Sequence, residues 1–350
     1  MSLMTSGNRR DFLSAGIKLT AAGTLLGAGL SSRTAAAAAC PPENLMQIDV
    51  SHYLLRNVRL EEAFVRHHDV ITATRTGLYD IEVNGANIAG IHAAGFSSTL
   101  PAWDAAGHIL LPATRDMHIH LDKTFYGDGW RAPLPRKSVI DMIHQEEQIL
   151  PEIVPTSEMR AEKLIGLLQS KGSTEARSHC NIEPVSGLKN LENLQAVLAR
   201  RKAGFDCEIV AFPQHGLLLS KSEPLMREAM QAGAHYVGGL DPTNVDGAME
   251  KSLDTMFQIA IDYHKGVDIH LHETSPAGVA AVNYMVETVE KTPELKGKLT
   301  ISHAFALATL NEQQVDEIAT RMAAQQVTIA STVPIGTLHM PLKQLREKGV

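Results

Sequence analysis

From about residue 109 onward, short apolar runs recur every 30 residues or so, separated by stretches with apolar positions at helical spacing. HILLPATRDMHIH, TEARSHCNIE, CEIVAFPQ, AHYVGGLDP, VDIHLHET, KLTISHAF and VTIASTVP read as strands. LKNLENLQAVLARRK and GAMEKSLDTMFQIAIDYHK read as amphipathic helices between them. Strict alternation of strand and helix predicts a parallel sheet with right-handed crossovers. A doubly wound sheet would carry a glycine-rich phosphate loop after its first strand, where HIHLDKT stands instead. The expected fold is therefore an α/β (β/α)₈ TIM-type barrel over residues 109–350. Seven strands are visible, and the eighth has no counterpart before Val350. The chain thus reads as a C-terminally incomplete barrel with two unpaired strand edges. Residues 40–108 carry shorter β-type runs, and VNGANIAGI predicts a hairpin within a small β-structure.

Residues 1–39 have a different order: Arg9-Arg10 before Phe12-Leu13, then a weakly apolar stretch, then the small residues SSRTAAAAAC. That order predicts a twin-arginine signal peptide cleaved near Ala39, with delivery to the periplasm by the twin-arginine export machinery. The apolar stretch is too short and too polar to span about 30 Å of hydrocarbon, so no stable membrane anchor is expected. The full chain has 350 residues, 44% hydrophobic and 20% charged, which is globular composition. A net charge of −7 without a basic cluster excludes a nucleic-acid surface. Three cysteines cannot build a disulfide framework, and Cys180 and Cys207 read as buried small hydrophobes. A homo-oligomer is compatible with this composition.

Sixteen histidines are the unusual feature, and seven fall at the carboxyl ends of the expected strands, where barrels keep their chemistry. His118 and His120 are two apart on one strand and therefore face the same side. With His270 they form a three-imidazole set suited to one divalent cation, Fe²⁺ or Zn²⁺. Glu273, three residues after His270, is placed to move a water proton, or else to cap the helix that follows. His303 would donate to the attacking water or the developing oxyanion. His179, with Asn181 and Arg177, alternates along the second barrel strand and would line the pocket on the substrate side. Asp122 and Lys123 read as a local ion pair. Asp241 in GGLDP either faces the substrate or caps the turn before Pro242.

HIHLDKT, PQHG, HLHET and ISHAFAL, taken in this order, resemble the metal-dependent amidohydrolase superfamily, and especially its cytosine deaminase-like branch. The resemblance covers about residues 52–350 and implies that the leading β-segment is a small β-sandwich portion. It also implies that His118, His120 and His270 are metal ligands, that Glu273 shuttles the proton, and that His303 orients the water. Gln214 would hold the ring amide of a small nitrogen-heterocyclic substrate. The family's metal-binding aspartate ends the eighth strand, beyond Val350. His272 stands where cytosine deaminases have an acidic residue, and GGLDP replaces their fourth-strand ending, so cytosine itself is not specified. The function expected is hydrolysis of a non-peptide C–N bond by metal-activated water, as in deamination of a cytosine-like or other nitrogen heterocycle. The alternatives are hydrolysis of an exocyclic or ring amide at the same site, and a non-catalytic periplasmic binding protein on a degenerate barrel.

Overall fold

The computed structural model describes residues 51–68, 70–132, 134–135, 137–332 and 338–350. The expected export signal and Cys40 lie outside them. The described residues fall into two compact units that divide between Ala113 and Thr114.

In the first unit, β1 (His52–His67), β2 (Val70–Asn84), β3 (Asn87–Ala93) and β4 (Ala102–Asp104) form one sheet in the order β3-β2-β1-β4. The expected hairpin is β2–β3, with Gly85 in its turn at φ +58°, a conformation that favours glycine. Tyr53, Val58, Leu60, Ile81 and Val83 form this unit's core. Asp80, fully buried, accepts hydrogen bonds from the backbone N–H groups of Asn57, Gly95 and Phe96 and from the Arg56 guanidinium. A buried carboxylate is tolerable only when its oxygens are satisfied in this way.

The second unit is an all-parallel, nearly closed seven-stranded barrel surrounded by helices. The strands are β5 (Thr114–Ile119), β6 (Ser173–Asn181), β7 (Asp206–Phe212), β8 (Tyr236–Leu240), β9 (Gly266–His270), β10 (Leu299–Ser302) and β11 (Thr328–Ala330). They pair in simple sequence order from β5 to β11, as the recurring runs predict. Two helices, α1 (Val139–Ile153) and α2 (Ser157–Ser170), fill the first crossover. The others hold α3 (Lys189–Arg201), α4 (Glu223–Gln231), α5 (Met249–Asp262), α6 (Pro276–Lys291) and α7 (Glu312–Ala324), with α8 (Leu342–Lys348) after β11.

The period-2 pattern separates the two faces of the sheet. Val267, Ile269, Leu299 and Ile301 point outward into the main core, with Leu253, Val282, Val286 and Ile318 from the helices. The alternate positions Asp268, His270, Thr300 and Ser302 share the other face; Thr300 is in register with Asp268, and Ser302 with His270. Barrel interiors are usually filled by branched apolar side chains. Here the inward positions of β9 and β10 are polar, so their side chains must satisfy one another.

The outermost strands β5 and β11 flank a cleft of about 460 Å³ lined by Arg115, Asp116, His118, Ile329 and Ala330, among others. Among the described residues, no strand bridges it. Nor is any described helix long and apolar enough to cross a membrane.

Candidate active site

Each expected site histidine is delivered by the end of a barrel strand. His118 closes on His270 and His303, with one ligand nitrogen from each lying within 4.8 Å of the others. His120 also reaches the set, its Nε2 3.4 Å from Nε2 of His270. Two ligands about 2.1 Å from one ion at a tetrahedral angle stand about 3.4 Å apart, so this pair has the spacing of a shared cation. Burial drives all four rings toward the neutral form. It lowers His118 to about 4 and His303 to about 3, each helped by the charge of His272, and holds His120 and His270 well below the usual value. Neutral imidazoles keep a lone pair free, which is what a cation requires. Nδ1 of His120, His270 and His303 is buried without a hydrogen-bond partner. The donor set fits one divalent cation.

Backbone conformation aims one of these rings and packing another. His303 and Ala304 leave β10 with φ of +67° and +52°, a left-handed pair that non-glycine residues adopt at a cost and that clusters at functional sites. Phe212 stacks on His270 with ring centroids 4.1 Å apart. His179 is fully buried behind His118 and His270, with centroids at 4.4 and 4.3 Å, and is absent from the lining of the large cavity.

Glu273 is 3% exposed. Its Oε1 accepts from the backbone N–H groups of Thr243 and Asn244, at 3.1 and 2.8 Å, while Oε2 is buried without a partner. The carboxylate is thus anchored by the loop after β8 and not by the N-terminus of α6. Burial raises its pKa, aided by the charge of Asp241. Gly278 packs directly on Glu273: a Cβ there would lie 2.9 Å from the Glu273 Cβ and closer still to its carbonyl oxygen.

A cavity of about 1290 Å³ opens over these histidines. His118, His120, His270, His272, His303 and Gln214 line its polar floor. Lys123 is not paired with Asp122 as expected. Its ammonium donates to Glu146 at 3.0 Å and to Oε1 of Gln214 at 2.5 Å, and Asn181 donates to the same Glu146. Asp122 instead accepts from the Asn181 backbone N–H, and burial pushes its carboxyl up to about 6. Asp241 clamps His272, accepting from its backbone N–H at 2.6 Å and facing its Nδ1 at 3.0 Å. His272, Lys123 and Glu146 also line the cavity, a placement that local sequence does not predict; the second histidine of HLHET is the signal for His272.

Under the histidines, Arg177 donates to Glu208, Asp268, Thr300 and Tyr236 at 2.8–3.1 Å. Burial pushes the Asp268 carboxyl up to about 6, against the opposing pull of Ser302 and Arg177.

No family model matches the chain. It is 67% identical over 352 residues to the "Uncharacterized protein YahJ" of Escherichia coli (strain K12), covering 99% of this chain and 76% of that protein. It is 28% identical over 293 residues to the N-isopropylammelide isopropyl amidohydrolase of Pseudomonas sp. (strain ADP), covering 79% of this chain and 70% of the relative. Among solved structures, N-isopropylammelide isopropylaminohydrolase from Burkholderia multivorans superposes with a TM-score of 0.74 at 29% identity, over 86% of this chain and 73% of that one. A 5-methylcytosine deaminase from Klebsiella pneumoniae, liganded with 5-fluorocytosine, shares the fold with a TM-score of 0.69 at 23% identity, over 85% and 73% of the two chains.

His118 and His270 each neighbour every other ring of the set; the His270 ring lies 4.5, 5.4 and 5.2 Å from those of His118, His120 and His303. His270→Ala should therefore weaken zinc binding by more than the roughly 10–100-fold typical of removing an outer partner. Competition with a chromophoric chelator measures this, and wild-type affinity in the variant would contradict the assignment.

Proposed function

The chain belongs to the family of the Escherichia coli protein YahJ, and we propose that it is a metal-dependent amidohydrolase that cleaves a C–N bond of a nitrogen heterocycle. The observation that carries this reading is the convergence of four histidines, all driven toward the neutral form, at one end of a barrel; Glu273, anchored and half-satisfied, follows His270 by three residues. His118, His120 and His270 would hold one divalent cation, iron or zinc. His303, on the same wall, would face the water and is close enough to join the ligands. When bound, such a cation lowers the pKa of a water from about 15.7 toward 7 and supplies hydroxide at neutral pH.

The chain's own groups do the rest. Glu273 Oε2 takes the water proton, while Oε1 stays fixed by the Thr243 and Asn244 N–H groups. A carboxyl raised by burial can both accept that proton and return it. It delivers that proton to the ring nitrogen as the C–O bond forms; the remaining proton of the added hydroxyl then passes to the exocyclic nitrogen, the exocyclic C–N bond breaks, and a ring carbonyl is left as ammonia or an amine departs. Lys123 occupies the Gln214 amide oxygen, which leaves the amide N–H₂ to donate to an acceptor such as a ring carbonyl.

The N-isopropylammelide-hydrolysing relatives support release of an amine from a heterocycle more directly than deamination of cytosine itself. The cavity, larger than a single pyrimidine needs, leaves room for a substituent on the departing nitrogen. Assay of ammonia and alkylamine over amino- and alkylamino-substituted pyrimidines and triazines tests the class. Amide hydrolysis without amine release from a ring would overturn it, and so would ligand binding without turnover.

We also infer export to the periplasm by the twin-arginine route, on the strength of Arg9-Arg10 and the small residues before Cys40. Replacing Arg9 and Arg10 with Lys should retain the protein in the cytoplasm on cell fractionation; unchanged periplasmic recovery would sink the inference.

Glu273→Gln should lower turnover by about 10²–10⁴-fold with metal content unchanged. Gly278→Ala, which crowds Glu273 without altering its chemistry, should cost on the order of 10²-fold by displacing the carboxylate. Wild-type turnover in Glu273→Gln would remove Glu273 from the mechanism.

A further inference from the structure

Which nitrogen a histidine offers to a cation is set by where the proton on its other nitrogen is held. For His118 the structure supplies that information. Nδ1 lies 2.9 Å from Ser302 Oγ, and Ser302 Oγ lies 2.6 Å from Asp268 Oδ1. A hydroxyl carries one hydrogen, and a carboxylate only accepts. Ser302 therefore donates to Asp268 and must accept from His118. The other oxygen, Asp268 Oδ2, receives Nη1 of Arg177 at 3.1 Å. Arg177 cannot reverse this order, because a guanidinium has no acceptor. Ser302 and Asp268 are fully buried, so no bulk water competes for these bonds.

We propose that Asp268 and Ser302 are positioning residues that fix His118 as its Nδ1–H tautomer, so that Nε2 alone carries the lone pair that meets the cation. The inference rests on the reading of the histidines as a metal centre and deepens it. It gives the polar inner face of β9 and β10 a purpose. Asp268 and Ser302 stand at inward positions on neighbouring strands, and the parallel register that pairs Ser302 with His270 brings the hydroxyl beneath the site.

Two substitutions act on this chain differently. Ser302→Ala deletes the acceptor for His118 Nδ1–H. Asp268→Asn keeps the side-chain shape but changes its polarity. The carboxamide oxygen must face the Arg177 donors, so its N–H₂ faces Ser302; the hydroxyl then turns to donate to His118 Nδ1, and the ring proton moves to Nε2. Thr300→Val removes a different Arg177 partner, 2.9 Å from Nη1, and leaves the chain to His118 intact.

The test is zinc affinity of the full chain by chelator competition, with circular dichroism melting of the metal-free proteins to show that each variant folds. Ser302→Ala should bind zinc about 10–100-fold more weakly, Asp268→Asn at least as weakly, and Thr300→Val as wild type does. Wild-type affinity in Ser302→Ala overturns the proposal, and so does equal weakening in Thr300→Val, which would mark a general packing effect. Should Asp268→Asn not fold, Ser302→Ala against Thr300→Val decides alone. If the wild-type chain takes up no zinc, the metal-centre reading itself fails and takes the relay with it. Zinc uptake that all three variants share equally overturns the relay only.

Discussion

A guanidinium buried inside a β-barrel governs much of the second unit. Arg177 is 7% exposed, and leaving such a charge unpaired in the interior would cost several kcal/mol, on the order of the whole net stability of a domain. Its partners come from β7, β8, β9 and β10, so satisfying Arg177 requires those strands to sit in one register. A slip of one residue would turn each inward side chain to the outer face. The histidines occupy inward positions near Arg177 and its partners, and the same register brings them together.

The division of labour between the faces of the sheet follows. Outward residues such as Val267, Ile269 and Ile301 bury apolar surface against the helices, and that burial supplies the favourable term in folding. The inner face contributes little of this and carries chemistry instead. Neutral histidines, a carboxylate with one oxygen fixed and one free, and a left-handed turn at His303 all sit where the strands end. Each would be unfavourable alone, and the apolar outer layer offsets them.

The sequence made the strand count, the strand order and the histidine cluster legible, because these depend on local periodicity. His118 and His120 two apart on one strand, and His270 at the end of another, needed only the alternation rule and the barrel's habit of placing chemistry at strand ends. The partnerships inside the site were not legible. Lys123 meets Glu146 and Gln214, which lie 23 and 91 residues away, and nothing local distinguishes that from pairing with Asp122 next door. No local signal sets Glu146 apart from the other charges of α1. Asp241 read equally as a substrate contact or a turn cap, and in the fold it clamps the backbone and ring of His272. His179 reads as a pocket residue because it is polar on an apolar strand, yet β6 carries it behind the other rings. Gly278 has no sequence signal at all, since its importance is the space beside Glu273.

The proposed hydrolysis stands or falls with a metal centre at these histidines. The most direct test is elemental analysis of the purified chain alongside amine release from a heterocycle panel, before and after chelation. About one divalent iron or zinc per chain is expected, with amine release that chelation abolishes and added metal restores. A chain that releases amine without metal, or that carries no metal even after incubation with zinc or iron, would contradict it.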